Sequence, residues 1–332
     1  MSAGSSSPGE LAVLSWAGGW GRALEREVSR PFERSTGIRV RHVSHVGLAL
    51  PQSLLDAWDQ GVRPPIDVAW TNVSAALRAA RADRCEPLDE RTLPNLRRLC
   101  PRARAEIPAG WPFAVAYVVY YVLTYRRAAV RGRPESWNVL LNAAHRGKVA
   151  LYPGGHGFYP VAQVLGGGSL ADIPHEMSAC FAYLAKLRPQ IGVLDYSISM
   201  GERFRRGDLD LAFRALTNAL AFREEGLDVD WVAPREGIPD TVDSLWIPRG
   251  VPAEVTPAAR AYIDFALSRE VQERWCAALG CMPVHAAARA PRLLLDPPNL
   301  PRNADDPTGI LSLSESLKLE NEPAWARQFE AL

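Results

Sequence analysis

A helix that crosses a bilayer needs about 20 consecutive apolar residues, and this 332-residue chain has no such run. No membrane-spanning segment is expected. Lysine is almost absent: Lys148, Lys186 and Lys318 are the only ones among 38 basic residues. Arginine is scattered instead through every segment, and 37 acidic residues leave a formal net charge of +1. Nucleic-acid binding needs a basic excess, so no nucleic-acid partner is expected. The five cysteines form no C-x-x-C, which removes the usual zinc and thioredoxin patterns. There is no G-x-G-x-x-G, and Gly147-Lys148 is followed by Val149 rather than completing a phosphate loop, so neither a nucleotide nor another cofactor is expected. No G-x-S-x-G nucleophile elbow occurs. Internal repeats and low-complexity segments are also missing.

What is present is ordinary for a globular protein: 47% hydrophobic and 23% charged residues. At this length one core is too few, and two α/β lobes are expected. Leu11–Leu14 is a short apolar strand that enters a glycine-rich turn, Gly18-Gly19-Trp20-Gly21. An amphipathic helix, Gly37 and a second β-branched strand follow, giving a βαβ unit over residues 11–40. Open α/β sheets bind ligands at the carboxyl ends of their strands, and Trp16 and Trp20 stand at this one. Cys85 with Cys100 and Cys276 with Cys281 are either disulfides of an oxidising compartment or buried thiols; Cys180, on an apolar helix face, is expected in the core. The polar opening, residues 1–8, reads as a disordered linker. It is no signal peptide, and a leader already removed or a cytosolic chain are the two alternatives.

Further along, a helix is expected over Gln52–Gln60, a strand over Ile66–Trp70 leading into Thr71-Asn72, and a helix from Ser74. The near-continuous apolar and aromatic run Ala114–Tyr125 predicts one long buried strand. Strands are also expected at Val149–Tyr152, Leu209–Phe213 and Val229–Val232. The expected helices cover Ile173–Arg188, Ser199–Asp208 with its stop at Gly207, Ala258–Leu267 and Ser268–Leu279. After Pro291 the chain is proline-rich, then helical at Glu315–Leu319 and again at Pro323–Phe329.

Several runs occur in a telling order. They are Pro31-Phe32-Glu33 with Thr36-Gly37-Ile38; Asp67-Val68-Ala69-Trp70-Thr71; Pro87-Leu88-Asp89; and Pro134-Glu135-Ser136-Trp137 with Gly147-Lys148-Val149-Ala150-Leu151. Then come Glu236-Gly237 with Asp243-Ser244-Leu245-Trp246-Ile247-Pro248, Tyr262-Ile263-Asp264-Phe265 and Met282-Pro283-Val284-His285. Over about Leu11–Ala290 the chain resembles the bacterial extracellular solute-binding proteins of ABC importers, in the polyamine- and iron-type, spermidine/putrescine-binding-like cluster. The resemblance implies a type II periplasmic binding fold: two Rossmann-like lobes joined by a two-segment hinge. Lobe one would hold residues 9–112 and 243–332, lobe two residues 113–242, with crossings near 110–116 and 238–245. It also implies a monomeric, non-enzymatic carrier, periplasmic or tethered outside the cytoplasm. Such a carrier captures a small polar solute by hinge closure and presents it to a membrane permease.

By the same resemblance the solute would meet Trp16, Gly19, Trp20, Trp70, Thr71, Asn72 and Asp243 in lobe one, with Gly18 in the turn. Lobe two would offer Tyr117, Tyr120, Gly155, His156, Phe158, Arg214, Thr217 and Asn218. Polyamine binders carry acidic side chains on the loop that here reads Gly154-Gly155-His156-Gly157. A glycine-rich loop at a helix N-terminus suits an anion, with His156 and Arg214 nearby, whereas Asp243 and the tryptophans suit an ammonium group. A zwitterion, a phosphonate-type solute or an amine are the ligands this pattern favours. Ferric ion is the alternative, weakened because Thr217-Asn218 stands where iron-binding relatives have adjacent tyrosines, and because Tyr120 and Tyr121 on a strand point to opposite faces. No metal site is expected. A thiaminase-like enzyme would need a cysteine at a strand end, and none falls there.

Overall fold

The computed structural model describes residues 9–45, 47, 49–196, 200–297 and 300–332. The expected linker over residues 1–8, and Ser199 at the expected start of a helix, lie outside the described residues. The chain forms two compact units. Unit one holds Met1–Val118, Val242–Pro291 and Asn303–Asp305; unit two holds Val119–Thr241, Arg292–Arg302 and Asp306–Leu332.

In unit one, β1 (Glu10–Trp16) is buried over Leu11–Ser15 on both faces, as a strand covered by helices on each side must be. The turn after it closes tightly: a Cβ on Gly21 would lie 2.4 Å from the Trp16 carbonyl oxygen. A helical run follows as α1 (Gly19–Leu24), a π-helical turn (Glu25–Ser29) and α2 (Arg30–Thr36). Pro31 has no N–H for the Glu27 carbonyl four residues back. Arg274 donates to that carbonyl instead, at 3.3 Å. Gly37, at φ 75°, ends α2 in the left-handed conformation. Next come β2 (Arg39–His45), α3 (Gln52–Asp59), β3 (Val68–Asn72), α4 (Val73–Arg81), β4 (Cys85–Glu86) and α5 (Pro101–Ala105). β1 lies parallel to both β2 and β3, so that Trp16 stands opposite His45.

The chain enters unit two within β5 (Ala114–Arg126), the long strand expected from its apolar run and buried over twelve of its thirteen residues. Unit two continues with β6 (Val149–Leu151), α6 (Tyr159–Leu165), α7 (Ser178–Leu187), β7 (Ile191–Leu194), α8 (Met200–Arg206), β8 (Leu211–Ala215), α9 (Leu216–Glu224) and β9 (Val229–Val232). β6 is parallel to β7 and β8, while β5 runs antiparallel to β8 and β9. Gly207, at φ 78°, stops α8 as expected. α7 starts five residues later than the sequence suggested, at Ser178. Two sequence motifs a hundred residues apart meet here. The Ser136 hydroxyl and the Trp137 amide donate to the Glu236 carboxylate, at 2.5 and 3.2 Å, and the Trp137 indole donates to the Gly237 carbonyl at 2.8 Å.

β10 (Asp240–Pro248) carries the chain back to unit one, where Asp243–Trp246 pairs antiparallel with β3. α10 (Thr256–Leu267), α11 (Arg269–Leu279) and β11 (Met282–Pro283) complete that unit. α12 (Arg292–Leu295) and α13 (Glu315–Glu330) form the tail. The sequence reading put the whole tail with lobe one and broke its last helix at Pro323; the structure has residues 306–332 in unit two and one helix running through the proline. The reason is a close seat. A Cβ on Gly154 would stand 2.8 Å from the Ala326 Cβ, and one on Gly155 3.3 Å from the Phe329 ring, while Trp325 packs edge-on against Tyr159 at 5.0 Å. All five cysteines are free, buried thiols.

Gly154 is at φ 61°, so Gly154→Ala adds a steric conflict with α13 to an unfavourable backbone conformation. It should cost about 2–4 kcal/mol, against about 1 kcal/mol for Gly132→Ala, which shares the positive φ in open space. Urea denaturation of the two variants checks the difference. Asp210 offers a test by pH. Burial raises its carboxyl pKa, but bonds from Arg126 (2.6 Å) and His145 (3.1 Å) outweigh this and leave it below the usual value. A carboxyl depressed in the folded state stabilises above its unfolded pKa, near about 4, and that contribution disappears as pH falls through the folded value. Asp210→Asn should therefore cost about 1–3 kcal/mol at pH 7, with the gap to the wild-type chain closing below about pH 4; melts at pH 7 and pH 3 read it.

Candidate functional site

The carboxyl end of the unit-one sheet is a cluster of aromatic rings. Trp20, from the first turn of α1, meets Trp275 edge-on at 4.8 Å, Trp70 at 5.7 Å and Trp16 at 6.2 Å. Trp70, Tyr117 and Trp275 are wholly buried, whereas Trp16 and Trp20 keep partial exposure. Only those last two rings of the cluster present surface to a solute. His45 stacks on Trp16 at 4.3 Å. Burial is the main influence on its pKa and lowers it.

Asp243 lies beside this cluster, nearly buried, and the Tyr117 hydroxyl donates to its Oδ2 at 2.5 Å. Burial first, then the Asp243 charge, pushes the Tyr117 pKa well above its ordinary value. Tyr117 therefore stays a donor, and the carboxylate is held in one orientation. Thr71 and Asn72 are occupied in supporting the strand end. The Thr71 hydroxyl accepts from the Trp246 indole at 2.9 Å, and the Asn72 side chain caps α4 by accepting from the Ala75 amide at 2.7 Å. Gly18, at φ 75°, and Gly19 form the turn that delivers Trp20.

In unit two, the carboxyl ends of β6 and β8 carry a second cluster. Arg214 is completely buried. Its Nε donates to the Met200 sulfur at 2.9 Å and its Nη2 to the Asp195 carbonyl at 2.5 Å. The guanidinium lies 4.4 Å above the Tyr152 ring. Nη1 is buried with no hydrogen-bond partner, and Arg214 pairs with no carboxylate among the described residues. Tyr196 stacks on Tyr152 at 5.2 Å, and His156 stands 6.1 Å from Tyr152 and 6.2 Å from Tyr196. His156 is only partly exposed, and its Nδ1 lies 2.7 Å from the Glu322 carboxylate of α13.

The structure thus brings together Trp16, Trp20, Trp70, Tyr117 and Asp243 in unit one, and His156 and Arg214 in unit two. Tyr117, expected in lobe two, belongs to unit one. Phe158 sits in the unit-two core against Trp137 and Phe213, and Tyr120 is fully buried. Tyr121 stacks on Phe213, away from Tyr120 as neighbours on a strand must be. Thr217 and Asn218, in the first turn of α9, bond to each other at 3.2 Å. Gly154 and Gly155 serve the approach of α13, and α6 behind their loop has only seven residues. Among the described residues, no group of three or more His, Cys, Asp or Glu side chains is placed to hold a metal, and no helix is long and apolar enough to cross a membrane.

Sequence reasoning missed His45, Tyr152, Tyr196, Trp275 and Glu322. Parallel pairing of β1 with β2 would have given His45 as the neighbour of Trp16, and Tyr152 ends a strand that was expected. Nothing in the sequence pointed from residue 156 to residue 322.

This architecture, with its polar groups gathered at strand ends, is that of the type II periplasmic binding proteins. Residues 27–302 match the bacterial extracellular solute-binding proteins, and the chain belongs to that family. It is the solute-binding component of an ABC transporter: it binds a small ligand outside the cytoplasm for delivery to a permease, and it is a transport protein rather than an enzyme. No curated protein matches it in sequence. Among solved structures, the Atu4243 GABA receptor is similar with 19% identity, 97% of each chain covered and a TM-score of 0.76. The spermidine/putrescine substrate-binding protein PotD of Streptococcus pneumoniae has 17% identity, covers 97% of this chain and 98% of its own, and gives a TM-score of 0.75. AfuA of Actinobacillus pleuropneumoniae, solved with fructose-6-phosphate, has 18% identity, 97% of each chain covered and a TM-score of 0.71.

Tyr117→Phe removes the donor that orients Asp243 inside a buried cluster. It should lower stability by about 1–3 kcal/mol. Tyr125→Phe, on the same strand, should cost under about 1 kcal/mol, because Tyr125 makes no side-chain hydrogen bond among the described residues and its ring stays in place. Thermal melts of both variants check the contrast.

Proposed function

We propose that the solute is a small zwitterion, an amine and a single acidic group joined by a short carbon chain, carried by a monomeric periplasmic protein. The observation that carries this reading is Arg214. A buried guanidinium with an unpartnered N–H and no carboxylate is a costly arrangement, and an anionic ligand group is the natural partner to complete it. The Nη1 atom offers a charge-assisted bond, while the Met200, Asp195 and Tyr152 contacts keep the fork in place.

Within unit one, Asp243 with the partly exposed Trp16 and Trp20 offers a setting suited to an ammonium group. Cation–π contact with a desolvated tryptophan contributes up to about 2 kcal/mol, and a carboxylate held by Tyr117 adds charge complementarity. Arg214 itself disfavours a cationic group beside it. Of the similar structures, the Atu4243 receptor is named for GABA, which carries an amine and a carboxylate; the other two are named for a polyamine or bound to a sugar phosphate.

Thermal-shift titration with ω-amino acids of two to six carbons, putrescine, spermidine, fructose-6-phosphate and ferric citrate tests the proposal. At least one ω-amino acid should raise the melting temperature, since ligand at a hundred times its Kd stabilises by about 2.7 kcal/mol. Asp243→Asn and Arg214→Lys should each weaken that ligand at least about tenfold. A larger shift with a diamine, the sugar phosphate or ferric ion, with none from the amino acids, overturns the reading.

A further inference from the structure

We infer that Glu322, on the C-terminal helix α13, is a specificity residue that limits the solute's acidic group to one negative charge, selecting a carboxylate over a phosphonate or phosphate dianion. The inference rests on the zwitterionic solute proposed above and deepens it.

The loop Gly154–Gly157 carries no acidic residue of its own, and the fold supplies one from 166 positions away: Glu322 lies 2.7 Å from His156 Nδ1. That contact leaves Nε2 as the imidazole nitrogen available to a solute, since it makes no hydrogen bond among the described residues. Glu322 is largely buried. Burial raises its pKa, but the charge and hydrogen bond of His156, with help from Lys318 and the Gly157 backbone, more than offset this and hold it below the usual value. It is an ionised carboxylate. Arg214 and His156 both flank the stacked Tyr152–Tyr196 pair. Glu322 and Arg214 also act in opposite directions on the Tyr196 hydroxyl, so their fields overlap where the acidic group would sit.

The charge count follows. Arg214 contributes one positive charge with no carboxylate partner. His156 and Glu322 together contribute zero when the imidazole is protonated and minus one when it is not. Lys318, a turn back on α13, bonds to Glu315 and to the Asp240 carbonyl, and this buried group stays constant in the comparison. The site therefore offers at most one uncompensated positive charge. A carboxylate balances it. A dianion brings a second negative charge toward the Tyr152–Tyr196 pair, where the Glu322 charge is also felt, and like-charge repulsion there should cost a factor of about ten in affinity. Removing the Glu322 charge raises the local charge by one in either protonation state of His156, so the effect does not depend on where that ring titrates.

The experiment is isothermal calorimetry at pH 7.5 with matched ligands, each ω-amino acid against the ω-aminoalkylphosphonate of equal chain length. The wild-type chain should prefer the carboxylate by at least about tenfold, and Glu322→Gln, which keeps the acceptor and the shape, should shift the ratio at least about tenfold toward the phosphonate. Glu322→Ala removes the same charge without the amide and should shift the ratio the same way, which keeps the inference open to test if Glu322→Gln does not fold. A ratio unchanged in both variants, or a wild-type preference for the phosphonate, overturns the inference while the zwitterion reading stands. If the wild-type chain binds neither ligand class, both fall together.

Discussion

Burial of the parallel strands on both faces leaves polar chemistry only one place to go. β1, β3, β6 and β8 are covered by helices above and below, and their interior residues are apolar with few exceptions. A polar side chain on such a strand must bond inward, as Thr71 does with Ser244 and Trp246, or stand at the strand's end. The groups with ligand chemistry obey this. Trp16 ends β1, His45 ends β2, Tyr152 follows β6 and Arg214 is the penultimate residue of β8. Turns that carry Trp20 and His156 into the same positions depend on backbone without side chains: Gly21 under Trp16, and Gly157 against Tyr121 and Phe213.

The two clusters use burial for opposite ends. In unit one, buried rings and a tyrosine that cannot ionise fix one carboxylate beside two partly exposed indoles. In unit two, a buried cation keeps one N–H without an acceptor among the described residues. Elsewhere in the same unit a buried charge is fully answered: Asp210 is bonded by Arg126 and His145, and Lys318 by Glu315. Arg214 departs from the way the rest of unit two treats charge, and this contrast makes it the residue on which the functional reading turns.

Much of this was legible in the sequence because it is local or repeats a family pattern. The βαβ opening, the long strand Ala114–Arg126 and the stop at Gly207 follow from apolar periodicity and from glycine's conformational freedom. The order of the motifs carried the family. Pro134–Trp137 and Glu236-Gly237 are an instance: they were visible as separate runs, and their mutual hydrogen bonds give the reason both occur. What stayed hidden was orientation and long-range pairing. Phe158 and Tyr120 looked like wall residues and are core packing, because composition does not say which way a ring turns. The glycines at 154 and 155 read as a cradle for an anion, yet they accommodate a helix from the far end of the chain. A contact across 166 residues leaves no periodic trace.

The seat of α13 has a consequence for how such a carrier can diversify. The sheet strands and their turns cannot change without cost to the core, and α13 is seated as closely, with Ala326 and Phe329 against Gly154 and Gly155, while its Glu322 reaches His156 of the same loop. On the proposed reading, a substitution at Glu322 alone would retune which acid the protein accepts while the scaffold, the aromatic cluster and the arginine stay as they are. On that reading one helix carries both tasks: Glu322 tunes selectivity, while Trp325, Ala326 and Phe329 beside it hold the fold.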